Sequence, residues 1–264
     1  MPSLIDPVLL RPHLGPWAGR FDVDALEVCD STSSELMRRA AGGAPAGTVV
    51  VADEQTAGRG RRGREWISSP QDSLTFSLLW RFPGGFERLA GLSLAVGVAV
   101  ARACEALGAH GVALKWPNDV LAPIPGGWAK LAGILVELSG ERDSMLAVIG
   151  IGLNLRAPAQ DLGQQVRGLA DLLPAMPERH QLLACLLREQ AEVLERFAAS
   201  GFPALRAEWQ QRHAWQDIPV RLVEDGVTQA AGLCRGADRD GALLIETAAG
   251  VQRHLAGDVS LRPA

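Results

Sequence analysis

The chain is predicted to be α+β, with a mixed β-sheet and helices over residues 1–216 and a small β-barrel over residues 217–264. Three observations lead there. β-branched apolar runs alternate with helical stretches through most of the chain. The pattern changes after Trp215 to short β-like segments separated by turn dipeptides. The length of 264 residues accommodates one large unit and one small one, and no internal repeat divides it otherwise.

Thr32-Ser33-Ser34-Glu35 has the form of a capping box and opens a helix that Gly42-Gly43 ends. Thr48–Ala52 and Leu74–Phe82 read as strands on either side of a Gly/Arg-rich loop. The alanine-rich stretch from Arg88 to Leu107 suits a packed helix stopped at Gly108. Its apolar run, Leu89–Ala101, is shorter than the ~20 residues a bilayer-spanning helix needs, so it reads as buried. Val112–Trp116, Leu131–Leu138 and Met145–Leu155 read as strands, with turns at Pro117-Asn118-Asp119, Pro123–Gly127 and Ser139-Gly140. An amphipathic helix is expected over Glu178–Ala199, and a shorter one over Pro203–Trp215. The barrel is read from Val220–Val223, Gln229–Cys234, Ala242–Glu246 and Val251–Leu255, punctuated by Asp225-Gly226, Asp240-Gly241 and Ala249-Gly250.

The composition excludes several classes. A net charge of -4 argues against a general nucleic-acid or membrane-surface binder. Cys29, Cys104, Cys185 and Cys234 lie far apart with no C-x-x-C pair, which fits reduced thiols in a cytoplasmic protein and neither a zinc site nor a disulfide framework. The N-terminal segment has no basic stretch leading into a long apolar run, so no secretory signal is expected. Five scattered histidines show no metal-ligand spacing.

Of the 26 Lys plus Arg residues only Lys115 and Lys130 are lysine, a compact, strongly hydrated point charge that differs from a guanidinium. They are either survivors of a compositional bias or residues wanted for that chemistry. Gly58-Arg59-Gly60-Arg61-Arg62-Gly63-Arg64 places four guanidinium groups in seven residues among glycines that permit close approach. Such a loop can hold carboxylate or phosphate and order when the anion arrives; a solvated basic loop and an RGG-like nucleic-acid contact are the alternatives. No G-x-x-x-x-G-K-[ST] occurs, so the phosphate cradle of that motif is not on offer.

The order of motifs is informative beyond each one. Asp30-Ser31-Thr32, then Gln55-Thr56-Ala57 with GRGRRGR and Trp66, then KWPND from Lys115 to Asp119, KLAGILVEL from Lys130, and Gly150-Ile151-Gly152-Leu153-Asn154 together resemble the catalytic core of biotin-protein ligases. The resemblance spans residues 30–154. It implies a fold like that of class II aminoacyl-tRNA synthetases and biotin ligases with an SH3-like barrel behind it. It also implies activation of biotin by ATP with Mg²⁺, and transfer to a lysine of a biotin carboxyl carrier protein of a biotin-dependent carboxylase.

The residue roles that the resemblance implies follow the motifs. Ser31, Thr32, Ser33 and Gln55 match the biotin side, where hydroxyls and an amide suit the donors and acceptors of a ureido group. Arg59, Gly60 and Arg61 belong to the loop that closes over biotin and the activated intermediate, with Gly133, Gly150 and Gly152 letting backbone approach the ligand. Arg61, Arg64 and Trp66 fall on the nucleotide side, Lys115, Asn118, Asp119 and Asn154 on the nucleotide and metal side, and Lys130 lies near the reacting carboxylate and α-phosphate. Lys130, Lys115, Arg61 and Asp119 form the implied catalytic set, with Mg²⁺ brought by the ATP phosphates and no protein metal ligands assigned. Asp119 either accepts the proton that the carrier lysine must lose, binds metal or caps a turn; Trp66 and Trp116 are equally read as core packing.

Many members of this family carry an N-terminal helix-turn-helix domain and act as repressors. Only thirty residues precede Ser31, so a catalytic-only ligase without specific DNA or membrane binding is expected. Relatives that pair sheet edges imply a homodimer as one assembly. A lipoate-protein ligase, an RNA-binding protein using the arginine loop and the biotin carrier itself are the rivals. GRGRRGR, KWPND and KLAGIL fit the biotin branch better than the lipoate one, no RNP motif occurs, and neither lysine stands in a Met-Lys context. Residues 123–128 have no derivable role.

Overall fold

In the computed structural model, residues 3–141, 144–158, 163–257 and 259–264 are described. A seven-stranded mixed sheet is built from β1 (Asp22–Cys29), β2 (Thr48–Gln55), β3 (Ser73–Pro83), β4 (Ala113–Lys115), β5 (Asp119–Ile124), β6 (Gly127–Glu141) and β7 (Ser144–Asn154). Its order is β1-β2-β3-β7-β6-β5-β4, with β1 and β2 parallel and the other pairs antiparallel.

The period-2 alternation of strands decides what each face becomes. On β3, Leu74, Phe76, Leu78, Trp80 and Phe82 are buried in the main apolar core. Packed over the same face are α3 (Leu92–Ala106) and α4 (Arg179–Ser200), with α1 (Pro7–Leu14) against α4. Ser73, Thr75, Ser77 and Leu79 occupy the other face. There α2 (Thr32–Ala41) lies over β2, β3 and β7 and seals a smaller cluster in which Leu36 meets Val50, Leu79 and Val148. Beyond Leu79 and Val148 that face changes from apolar to hydroxyl and glycine, because Ser77 pairs with Gly150 and Thr75 with Gly152.

Several boundaries differ from the sequence expectation. The N-cap of α2 is Ser31, whose side chain accepts from the Ser34 amide, one residue before the expected Thr32. The long helix expected from Arg88 begins only at Leu92, because Gly91 adopts φ +81 ahead of it. Residues 86–106 are apolar and long enough to cross a membrane, yet most of them are buried inside the protein, as a core helix requires. Helix α1 and strands β1 and β5 were not expected. β1 is mostly exposed or half-buried, so it lacks apolar alternation, and β5 lies between two turn signals. Ser139-Gly140 is not a turn, since β6 and β7 stay paired out to Glu141 and Ser144.

The C-terminal segments form a five-stranded antiparallel sheet from β8 (Pro219–Glu224), β9 (Val227–Ala237), β10 (Leu243–Thr247), β11 (Gly250–His254) and β12 (Ser260–Pro263), in the order β11-β10-β9-β8-β12. The expected barrel is corrected here: among the described residues the ladder ends at β11 and β12 and does not close. The sheet shares one apolar core with the rest of the chain through Val220, Leu222, Cys234, Leu243, Ile245 and Leu261. Instead of one helix over Pro203–Trp215, a 3-10 turn at Phe202–Ala204 and α5 (Arg206–Gln211) lead into it.

Candidate active site

A cavity of about 620 Å³ opens on the α2 face of the large sheet, within the size usual for small-molecule sites. A row of residues crossing the strands forms its floor: Thr75 pairs with Gly152, Gly152 with Gly133, Gly133 with Asp119, and Asp119 with Lys115. Cross-strand partners share a face, so the three strand spacings from Thr75 to Asp119 cover roughly 14 Å. The two glycines in the middle leave room. A Cβ on Gly152 would come within 2.2 Å of the Trp66 indole, and one on Gly133 within 3.1 Å.

Lys130 reaches this face through an irregularity. It lies three residues from Gly133, and in a regular strand the two side chains would point to opposite faces. A register shift between Val120 and Leu121 pairs Val120 with Ala132 and Leu121 with Lys130, leaving Leu131 as an extra residue on β6. The bulge turns Leu131 into the core and Lys130 back toward Asp119. The Lys130 amide donates to the Gln165 carbonyl at 2.8 Å, and its own carbonyl accepts from Asn154 Nδ2 at 3.3 Å.

The Asp119 carboxylate holds both lysines, with Lys130 Nζ 2.8 Å from Oδ1 and Lys115 Nζ 3.4 Å from Oδ2. Burial alone would raise the Asp119 pKa, but the Lys130 and Lys115 charges outweigh it and keep the carboxyl below the usual range. Burial pulls Lys115 down, against the pull of Asp119. Trp215 and Trp66 cover the cations, at 5.3 Å from Lys115 Nζ and 5.7 Å from Lys130 Nζ to the ring centroids.

A second polar group gathers where α2 begins. Gln55 Oε1 accepts from the Thr32 amide at 2.8 Å and from the Thr32 hydroxyl at 3.2 Å. Thr32 Oγ1 lies 2.8 Å from Ser77 Oγ, and Ser33 Oγ lies 3.0 Å from the same oxygen.

The arginine loop lines the cavity above the floor, and it carries its own hydrogen bonds rather than lying open. Gly60 N donates to the Arg64 carbonyl and Trp66 N to the Gly58 carbonyl. The mutual repulsion expected among its guanidinium groups is offset by acceptors from elsewhere. Arg59 pairs with Glu137 at 2.6 Å, and Arg61 donates to Asn118 Oδ1 at 3.0 Å and to the Gly257 carbonyl at 2.9 Å.

All the residues singled out from sequence line this one cavity: Ser31, Thr32, Ser33, Gln55, Arg59, Gly60, Arg61, Arg64, Trp66, Lys115, Asn118, Asp119, Lys130, Gly133, Gly150, Gly152 and Asn154. Trp116 is also fully buried, with its indole N–H donating to the Gly241 carbonyl, so it serves the core. Sequence reasoning missed Thr75, which lines the cavity, and the fully buried Ser77, which bonds to the lining residues Thr32 and Ser33; their signal was the alternation of Ser73, Thr75 and Ser77 with apolar residues. It also missed Val166 and the stretch from Val259 to Arg262, which reaches the cavity from the far end of the chain.

A model of the Biotin/lipoate A/B protein ligase family matches residues 26–154, the segment that supplies most of this cavity. The chain is 37% identical to the bifunctional ligase/repressor BirA of Escherichia coli over 99% of this chain and 81% of that protein. It is 34% identical to a biotin–[acetyl-CoA-carboxylase] ligase of Mycobacterium tuberculosis over 98% of this chain and 96% of that one. The chain belongs to the biotin protein ligase family. Among solved structures, the biotin protein ligase of Aquifex aeolicus in complex with biotin and ATP superposes with a TM-score of 0.79 at 31% identity, covering 92% of this chain and 99% of that one. The family resemblance read from the motifs is thereby borne out, as is the α+β mixed-sheet architecture.

Proposed function

We propose that this biotin protein ligase uses the cavity on the α2 face to convert biotin and ATP to biotinyl-AMP and pyrophosphate, and then passes the biotinyl group to a lysine of a biotin carboxyl carrier protein. The observation that carries the assignment of residues is the floor row, with hydroxyls at one side, glycines in the middle and the Lys130–Asp119–Lys115 cluster at the other.

Biotin's carboxylate is ionised at neutral pH, so the first step needs no base. One of its oxygens attacks the α-phosphorus of ATP, a P–O bond forms, and the bond to pyrophosphate breaks. Charge builds on the phosphoryl oxygens, and Lys130, Lys115, Arg61 and Arg64 supply fixed cations there. Asp119 orients two of them. In the second step the neutral carrier amine attacks the acyl carbon, a C–N bond forms, AMP leaves with the electron pair of the broken C–O bond, and the proton that the amine gives up passes to the departing phosphate or to solvent. The arginine loop, tied to Asn118 and Gly257 through Arg61, shields the mixed anhydride from water between the steps.

Among the described residues no group of three His, Cys, Asp or Glu side chains could hold a metal, and Asp119 is already paired with two ammonium groups. The described residues therefore offer no metal cage, and Mg²⁺ would draw its ligands from the nucleotide. We also propose residues 1–216 and 217–264 as the two domains, with the second contributing Val259–Arg262 to the cavity wall.

The test is exchange of labelled pyrophosphate into ATP without carrier, using biotin, lipoate and octanoate in parallel. Exchange with biotin alone is expected. Exchange with lipoate instead would move the specificity, and none with any acid would overturn the assignment.

A further inference from the structure

The hydroxyl cluster at the start of α2 has a fixed direction, and that direction follows from counting hydrogens. Each hydroxyl carries one donor hydrogen, and an amide oxygen carries none. Gln55 presents its Oε1 to this cluster, because that atom accepts from the Thr32 backbone N–H. The Thr32 hydroxyl, 3.2 Å from the same oxygen, must donate to it. With that hydrogen committed, the 2.8 Å contact between Thr32 and Ser77 requires Ser77 to donate to Thr32. With the Ser77 hydrogen committed in turn, the 3.0 Å contact requires Ser33 to donate to Ser77. The chain runs Ser33, Ser77, Thr32, Gln55, and every hydroxyl hydrogen in it points inward.

Two consequences follow for what the cavity shows a ligand. Ser33 lines the cavity and, its hydrogen used, presents only lone pairs. Gln55 lines it too, and with Oε1 engaged twice its Nε2 donors are what remain. Acceptors beside an N–H₂ group match a ligand that offers N–H donors beside a carbonyl, as a cyclic urea does. Ser77 is fully buried, so it touches no ligand and contributes only through the two hydroxyls it joins.

We propose that Ser77 is a positioning residue that sets the polarity of the ligand-facing hydroxyls, fixing Ser33 as an acceptor for a ureido N–H of biotin. The inference rests on the assignment of the cavity to biotin. Without Ser77 the Ser33 hydroxyl rotates freely and Thr32 loses its donor, so biotin must select one arrangement out of several on binding. The acid and nucleotide chemistry across the cavity floor is untouched.

The experiment is biotin-dependent pyrophosphate exchange with wild type, Ser77→Ala and Ser77→Cys, recording KM for biotin, KM for ATP, kcat and the melting temperature of each. Ser77→Ala is expected to raise KM for biotin about tenfold, as loss of a buried hydrogen-bonded network does, with kcat and KM for ATP within about twofold. Ser77→Cys keeps the volume and a weak donor, and should fall between. An unchanged KM for biotin in a folded Ser77→Ala would overturn the proposal, as would equal rises for biotin and ATP, which a merely structural role would give. If Ser77→Ala fails to fold, the same comparison is read from Ser77→Cys, where a threefold or larger selective rise supports the proposal and none overturns it. Wild-type protein that showed no biotin-dependent exchange would remove the biotin assignment and this inference together, whereas normal wild-type exchange with indifferent variants removes only the inference.

Discussion

Lys130 and Asp119 face each other at 2.8 Å only because β6 carries an extra residue opposite β5. The bulge places the ammonium on the cavity floor beside a carboxylate that also holds Lys115. Lys130→Ala is expected to lower biotin-dependent pyrophosphate exchange by about 100- to 1,000-fold, the range for removing one preorganised charge from a phosphoryl transition state. Wild-type exchange in that variant would remove the assignment. Asp119→Asn should slow adenylation more than transfer from preformed biotinyl-AMP, since an ion-paired carboxylate kept below the usual range is a weak base. A loss confined to the transfer step would instead make Asp119 the base.

Gly152 is where the floor meets Trp66. A methyl group there would overlap the indole at 2.2 Å, so Gly152→Ala must displace Trp66 from its place beside Lys130. Exchange activity should fall at least tenfold, and in a double-mutant cycle with Trp66→Leu the two effects should be far from additive. Additive losses would show that the two sites act separately.

His213 lies buried in the core, stacked on Trp209 at 4.5 Å, and burial lowers its pKa from 6.5 to about 4. The unfolded chain therefore binds a proton between those values that the folded protein does not. Stability contributed by the neutral ring is complete above 6.5 and falls as pH drops toward 4, by about 3 kcal/mol in all. His213→Phe, which keeps the stack, should lose less melting temperature than wild type between pH 7.5 and pH 5. Parallel losses would show that other groups govern acid stability.

Trp116 joins the site to the C-terminal sheet by donating its indole N–H to Gly241 at 3.0 Å from a fully buried position. Trp116→Phe is expected to cost about 2 kcal/mol in chemical denaturation, through a lost buried hydrogen bond and the space left behind. A variant as stable as wild type would show that this bond is not what couples the two sheets.

The linear sequence determined which residues line the cavity and which strands and helices carry most of the core. Lys115, Asp119, Lys130, Gln55 and the arginine loop were legible because their residue types and order are unusual, and Leu74–Phe82 because β3 alternates along a buried strand. Strand β1 was not legible, since its sides are mostly exposed or half-buried and carry no alternation. Other features depend on neighbours far along the chain. Ser77 gains its place from Thr32 and Ser33, 45 and 44 residues away. Arg61 meets Gly257 across 196 residues, and the C-terminal sheet packs into the common core with its ladder open among the described residues. The direction in which Lys130 points was decided only by tertiary structure, because strand alternation in its own sequence sends it to the wrong face and the bulge that reverses it exists only once β6 has paired with β5.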